Sequence, residues 1–223
     1  MEFIRLVLQA PLQSWGEKSR WDYRDTSAMP TKSGIIGLLG CCLGIERGSD
    51  KLAKLADSLR VAVRADKPGV ILTDFHTVQA PDGQKLLNAE GKPRGETIIT
   101  PKQYLQDAKF TVLLWGDNDV LHKCYEALMH PHWPPFLGRK NCVPATPLKP
   151  EFITADDIYA ALEKDIPVDT PMKAEIEFCA SDAFSINEHI ISRPDAPINA
   201  ADNIYAYRQV KAVVIKKTGG APV

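Results

Sequence analysis

The chain has 223 residues, 44% hydrophobic and 25% charged, an ordinary globular balance that excludes a wholly disordered or collagen-like protein. Its formal net charge of −1 excludes a uniformly basic polyanion binder. The charge is uneven, however: residues 151–202 hold twelve acids and three bases, a net of −9, and the remainder carries +8. Local field rather than total charge attracts a polyanion, so a basic face remains open to this chain; the acidic stretch can equally be solvated surface.

The opening "MEFIRLVLQA" lacks the basic and then apolar regions of a signal peptide. Residues 2–9 alternate, with Ile4, Leu6 and Leu8 on one side and Phe3, Arg5 and Val7 on the other, which predicts a strand. Residues 32–45 predict a helix capped by Thr31 or Ser33. Its apolar run Ile35–Ile45 has 11 residues, where a membrane span needs about 20. No membrane association is expected. The chain's five cysteines are an odd number without CxxC spacing, so neither zinc nor a disulfide framework is expected. Reduced, mostly buried thiols in a cytoplasmic protein are.

A second amphipathic helix is predicted over 49–59, then strands over 60–66 and 70–78 joined as a hairpin across Pro68-Gly69. Residues 79–96 are rich in Pro-Asp-Gly and Glu-Gly-Lys-Pro turns and read as a protruding hairpin. A buried strand follows over 108–116, then a helix over 118–130 capped by Asn118 or Asp117. Residues 131–150 are stiffened by repeated prolines into a fixed loop, and no returning strand is evident there. Beyond them come a short acidic helix over 155–164, a strand over 173–180, a loop at "DAPINAADN" and a long strand over 204–217.

No P-loop, GxGxxG, HExxH, GxSxG or EF-hand motif occurs. Gly34, Gly37, Gly40 and Gly44 stripe one side of the first helix. The helix packs closely on a neighbour, or RNA backbone approaches it with the N–H groups at Lys32–Gly34 aimed at a phosphate, and both can hold on different turns. Trp15, Trp21 and Tyr23 lie among Lys18, Arg20 and Arg24, a mixture suited to stacking bases and holding phosphates; Trp15 can equally close the core. "GRKN" puts Arg139 and Lys140 on the proline-fixed loop, as phosphate contacts or as solubilising charges. His76, on a strand, is either structural or a ribonuclease base with Lys102, Tyr104 or Tyr23 as partner. Together these features suggest single-stranded RNA handled by shape and backbone.

"LQSWG", "PTKSGIIGLLGCCLGI", "DFHTV", "ETIITPKQYLQDAKFTVLLW" and "FLGRKNC", in this order over residues 8–143, about 60% of the chain, resemble the CasD family of type I-E CRISPR Cascade subunits, within the RAMP superfamily. The resemblance implies an α+β, ferredoxin-like (RRM-like) domain over 1–150 with a thumb β-hairpin inserted at about 79–107, and a C-terminal β-rich extension over 151–223 packed on it. It implies a non-catalytic subunit that needs no cofactor or metal, binds the 5′ handle of CRISPR RNA, and contacts a CasC backbone subunit and the CasA large subunit. Target DNA is then reached indirectly, through base pairing with the guide. Type I-C relatives process precursor RNA, so a metal-independent endoribonuclease is the alternative.

The matching positions imply RNA contacts at Gln13, Trp15, Lys32, Ser33, Gly34, His76, Lys102, Arg139 and Lys140. Lys18 and Arg20 join them from the charge of the first loop. Lys102 stands where the family often carries arginine, keeping the charge without the bidentate fork. Lys85, Lys92 and Arg94 at the thumb tip rest on charge alone. The expected site is a cleft in which a handle nucleotide is stacked and its phosphate held, with the first loop and helix start as one wall and the thumb as the other.

Overall fold

Alternating apolar residues build β1 (Glu2–Gln9), which sends Ile4, Leu6 and Leu8 into one core and Phe3 into another on the opposite face. The computed structural model describes residues 1–17, 23–81, 84–88, 90–95, 97–178, 189–199 and 202–217. After the short β2 (Leu12–Gln13), α1 (Lys32–Leu43) starts at Thr31, whose side chain accepts from Gly34 N–H. It ends at Gly44, in the left-handed conformation at φ 70°, as a C-terminal glycine allows. Then come α2 (Lys51–Ser58), β3 (Leu59–Lys67) and β4 (Val70–Gln79). β5 (Leu86–Leu87), β6 (Pro93–Gly95), β7 (Thr97–Gln106), β8 (Lys109–Gly116) and α3 (Asn118–Met129) follow. The chain closes with β9 (Glu151–Thr154), α4 (Ile158–Glu163), β10 (Met172–Glu177), β11 (His189–Asn199) and β12 (Ile204–Ile215).

Seven strands form one antiparallel sheet in the order β11-β12-β10-β3-β8-β1-β9. Helices α1, α2 and α3 cover one face and α4 the other, so β3 and β8 are buried on both sides along most of their length, whereas β1 exposes Val7 and Gln9 on the second face. Burial on both faces explains the nearly continuous apolar run of β8. The returning strand missing from the proline-rich loop is β9, four residues long, paired to β1 as soon as the prolines end.

The predicted 60–66/70–78 hairpin does not form. β3 pairs with β8 and β10, whereas β4 pairs with β7 in a separate sheet. Burial explains the parting: β3 is buried along most of its length, and β4 is exposed along nearly all of it. Gly69 (φ 74°) makes the break, and a Cβ there would lie 2.6 Å from Gln106 O. The ladder runs from Val70↔Gln106 to Gln79↔Thr97, so the arm starts at Val70 rather than near 79. Ten residues at about 3.3 Å each carry it roughly 33 Å, and β5–β6 pair within its distal part.

The segment expected as the loop "DAPINAADN" is strand as far as Asn199. Pro197 is tolerated because β11 is a sheet edge with register shifts on either side of that proline, where the missing N–H costs no ladder bond.

Candidate functional site

The segments that carry the family resemblance lie far apart in sequence and meet at the base of the arm. Ser14 N–H donates to Leu137 O at 3.1 Å. Gly138 (φ 92°) presses on the same loop, and a Cβ there would sit 1.6 Å from Ser14 O. No side chain fits, which accounts for the glycine of "FLGRKNC". Arg139 then donates to Gln103 O at 3.0 Å and to Arg24 O and Asp25 O at 3.1 Å, with its guanidinium 4.8 Å from the centre of the Tyr104 ring. Asn141 donates to Tyr104 OH at 3.0 Å. Arg139 is therefore a brace between the proline-fixed loop, β7 and the first loop, and the next residue, Lys140, is the exposed cation.

Gln13 and Trp15 lie inside this junction. Gln13 is fully buried, donates to Ala108 O at 2.8 Å and accepts from Trp15 Nε1 at 3.1 Å. The Trp15 ring is 1% exposed, and its backbone N–H is bound to Thr26 Oγ1. The expectation that these two side chains touch RNA is corrected: burial leaves them no surface, and they hold the wall from within. Lys18 and Arg20, with Trp21, lie outside the described residues.

The start of α1 also differs from the expected phosphate site. The backbone N–H of Lys32 donates to Asp195 Oδ2 at 2.7 Å. Its ammonium lies 2.6 Å from Glu177 Oε1 and is buried. Asp195, 1% exposed, accepts from Arg208 at 2.6 and 3.0 Å, and the second Glu177 oxygen accepts from Val61 N–H. The helix N-terminus attracts an anion, as expected, but the chain's own carboxylates supply it. Lys32 is thereby corrected from an RNA contact to a buried ion-pair partner. Part of the acidic stretch is spent the same way, since Arg193 pairs with Glu175 and, at 3.0 Å, with Glu17.

The glycine stripe divides by function. A Cβ on Gly34 would lie 2.7 Å from the Trp15 ring, and one on Gly40 would lie 2.5 Å from Leu52; these two serve packing. Gly37 has nothing within 4 Å of such a Cβ. It borders a groove of about 1060 Å³ between α1, the first loop, the 133–143 segment and the facing ends of β11 and β12 at Pro197 and Tyr205. Ser33 also lines it, and Ser33 Oγ lies 3.3 Å from Thr31 Oγ1. The wall opposite α1 is therefore the proline-fixed loop and not the arm. Trp133, which the sequence reading passed over, lines this wall at 39% exposure. Its signal was legible: an aromatic framed by "PH" and "PP" cannot sit in a ladder.

On the arm, Asp74 is directly opposite Lys102, and His76 lies two residues along the same strand. Lys102 Nζ is 3.4 Å from His76 Nδ1. His76 Nε2 is 2.5 Å from Asp74 Oδ2 without a hydrogen bond between them. Arg24 bridges to Lys102 on the other side, so one row carries two cations and a carboxylate. Tyr104 is buried and unavailable to His76. Tyr23 is 42% exposed. Burial pushes the Cys42 and Cys124 thiols up to about 12, so both stay protonated and are poor nucleophiles or ligands. Among the described residues no cluster of His, Cys, Asp and Glu could hold a metal, and no helix is long and apolar enough to cross a membrane.

The family "CRISPR-associated protein (Cas_Cas5)" matches residues 3–210. The chain is 36% identical over 182 residues to "CRISPR system Cascade subunit CasD" of Escherichia coli (strain K12), covering 74% of this chain and 78% of that protein. A chain from a structure titled "CRISPR RNA-guided surveillance complex" superposes with a TM-score of 0.80 at 30% identity, covering 97% of this chain and 91% of its own. Another, "Crystal structure of Cas protein", gives 0.69 at 28% identity over 99% and 100%. With the family match spanning nearly its whole length and a relative this similar over most of it, the chain belongs to the Cas5 family of CRISPR-associated proteins.

Proposed function

We propose that this chain is a non-catalytic, RNA-gripping subunit of a type I-E CRISPR surveillance complex. It holds the 5′ handle of the guide RNA and joins a CasC-type backbone subunit to a CasA-type large subunit, and target DNA is engaged through guide base pairing. One observation carries the reading: segments shared with the family converge on a single junction, Ser14 with Leu137 and Arg139 with both Gln103 and Arg24, with an open groove and exposed cations beside it. The order β3-β8-β1-β9, with helical crossovers α1–α2 and α3, supports a ferredoxin-like unit. In that unit the β4–β7 arm is the thumb, and the boundary with the C-terminal extension moves from 150 to about Thr154. Ser33, His76, Lys102 and Lys140, with Lys18 and Arg20 by charge, face the RNA. Gln13, Trp15, Gly34 and Arg139 shape the surface behind them. The protein acts in the cytoplasm.

Co-expression with guide RNA tests this. The chain should co-purify with RNA of one constant 5′ end, and binding of that end should weaken steeply with salt, as phosphate contacts require. RNA of random ends, or no salt-sensitive binding, rejects the reading. A second reading, metal-independent RNA cleavage, is favoured by the His76–Lys102 contact at 3.4 Å, which pairs a base with a cation. Incubating the chain with repeat RNA in EDTA decides: cleavage lost in His76→Ala would replace the binding-only account.

A further inference from the structure

The fold explains three of the four glycines on α1 and leaves one without a structural task. Gly34 and Gly40 have neighbours inside 3 Å of a Cβ, and Gly44 has the positive φ of a C-cap. Gly37 has a helical conformation, no close neighbour and solvent exposure. An interior helix glycine without a packing reason weakens the helix. Here its effect is to leave α1 bare at the middle of the groove, flanked one turn on either side by Ser33 and Cys41.

The opposite wall is aromatic and tied to α1 through its backbone. His132 N–H donates to Cys42 O at 2.8 Å and Trp133 N–H to Cys41 O at 3.4 Å, and Cys41 Sγ lies within 3.7 Å of Trp133 O and Pro134 O. The loop is thus stapled to α1 at one end and, through Gly138, to the first loop at the other. The Trp133 ring lies edge-on to His132, with ring centres 4.9 Å apart and its outer part open to solvent. Of the charged residues lining the groove, Glu46 and Arg47 offset one another and Lys140 leaves a net positive charge.

We infer that this groove takes one unstacked nucleobase of the bound RNA, with Gly37 as its floor, Trp133 as its stacking face and Lys140 against the adjoining phosphate. The inference rests on the RNA-binding reading and names the subsite within it. An exposed aromatic on a backbone-anchored loop, beside a bare backbone surface, suits a planar ring, because every base presents a stackable face. A cation at the rim matches the charge that comes with each nucleotide.

The test uses the full chain and a synthetic single-stranded oligonucleotide copying the 5′ end of its co-purifying RNA, with a series carrying one abasic nucleotide at each position. Wild-type protein should show one position where the abasic change costs roughly tenfold in affinity or more. Gly37→Leu and Trp133→Ala should weaken the intact oligonucleotide by a similar factor and erase the penalty at that position only. Gly37→Ala should melt at or above the wild-type temperature. Three outcomes overturn the inference: both variants bind as wild type does, the abasic profile is unchanged in them, or they keep RNA and lose only a partner subunit, which would make the groove a protein-docking surface. If wild-type protein shows no salt-sensitive RNA binding, the broader reading falls first, and the groove's role with it.

Discussion

The N-terminus and the middle of α1 make opposite use of the surface they offer. At the N-terminus, a lysine, a serine and a glycine follow a capping threonine, a pattern that invites a phosphate. The chain fills it with Asp195 and Glu177 from its C-terminal strands. One turn on, where the sequence shows only a glycine among apolar residues, the surface is open and bordered by Trp133 and Lys140. A helix N-terminus sets the sign of the charge it favours and not its source. Here the source is internal, because folding brings an otherwise distant acidic segment onto the basic one.

The strongest way to break this comparison is Asp195→Ala. The substitution leaves the Arg208 guanidinium and the Lys32 N–H facing an empty position in a nearly dry site. Removing one partner of a buried ion pair costs about 3–5 kcal/mol, to be read from urea unfolding. A loss below about 1 kcal/mol would mean that water already serves this network, and that the closed end of the helix is closed in name only.

Two glycine substitutions sharpen it. Gly34→Ala drives a methyl group to 2.7 Å from a ring that is itself fully packed. Strain of about 1–3 kcal/mol outweighs the gain of up to about 1 kcal/mol in helix propensity. Gly37→Ala meets no obstacle and should stabilise by roughly 0.5–1 kcal/mol. Opposite signs in thermal melts, at positions three residues apart, are the expected result; equal signs would place both glycines in the same environment.

Much of the architecture was legible because it follows from local patterns. Alternation in Glu2–Gln9, the Thr31 and Asp117 caps and the apolar run of Lys109–Gly116 each specify their element. Strand partners were not legible. "RVAVRAD" and "VILTDFHTV" look alike and adjoin a Pro-Gly turn, yet only the first is buried on both faces, and burial depends on what the rest of the chain brings. The site followed the same rule. Lys140 is the exposed cation its loop chemistry suggested, while Lys32 and Arg139 are cations in sequence and braces in space. A formal charge reveals nothing of its partner when that partner lies more than 100 residues away, as Glu177 does from Lys32.

Adjacent residues of the proline-fixed loop carry the same lesson with the smallest expected effect. Arg139 and Lys140 have the same charge and neighbouring positions, but Arg139 binds three backbone carbonyls and the Tyr104 face. Arg139→Ala should therefore cost about 1–2 kcal/mol of stability and loosen the whole junction, so that RNA binding falls without a selective change in its salt dependence. Lys140→Ala touches no such network and should shift stability by less than about 0.5 kcal/mol. If Lys140 lies against a phosphate, its loss lowers the slope of log affinity against log salt by about one while leaving the fold intact. Measured on the same RNA, the pair separates a brace from a contact: a salt slope that drops with Arg139 and not with Lys140 would exchange their roles and move the RNA from the groove side of the loop to the arm side.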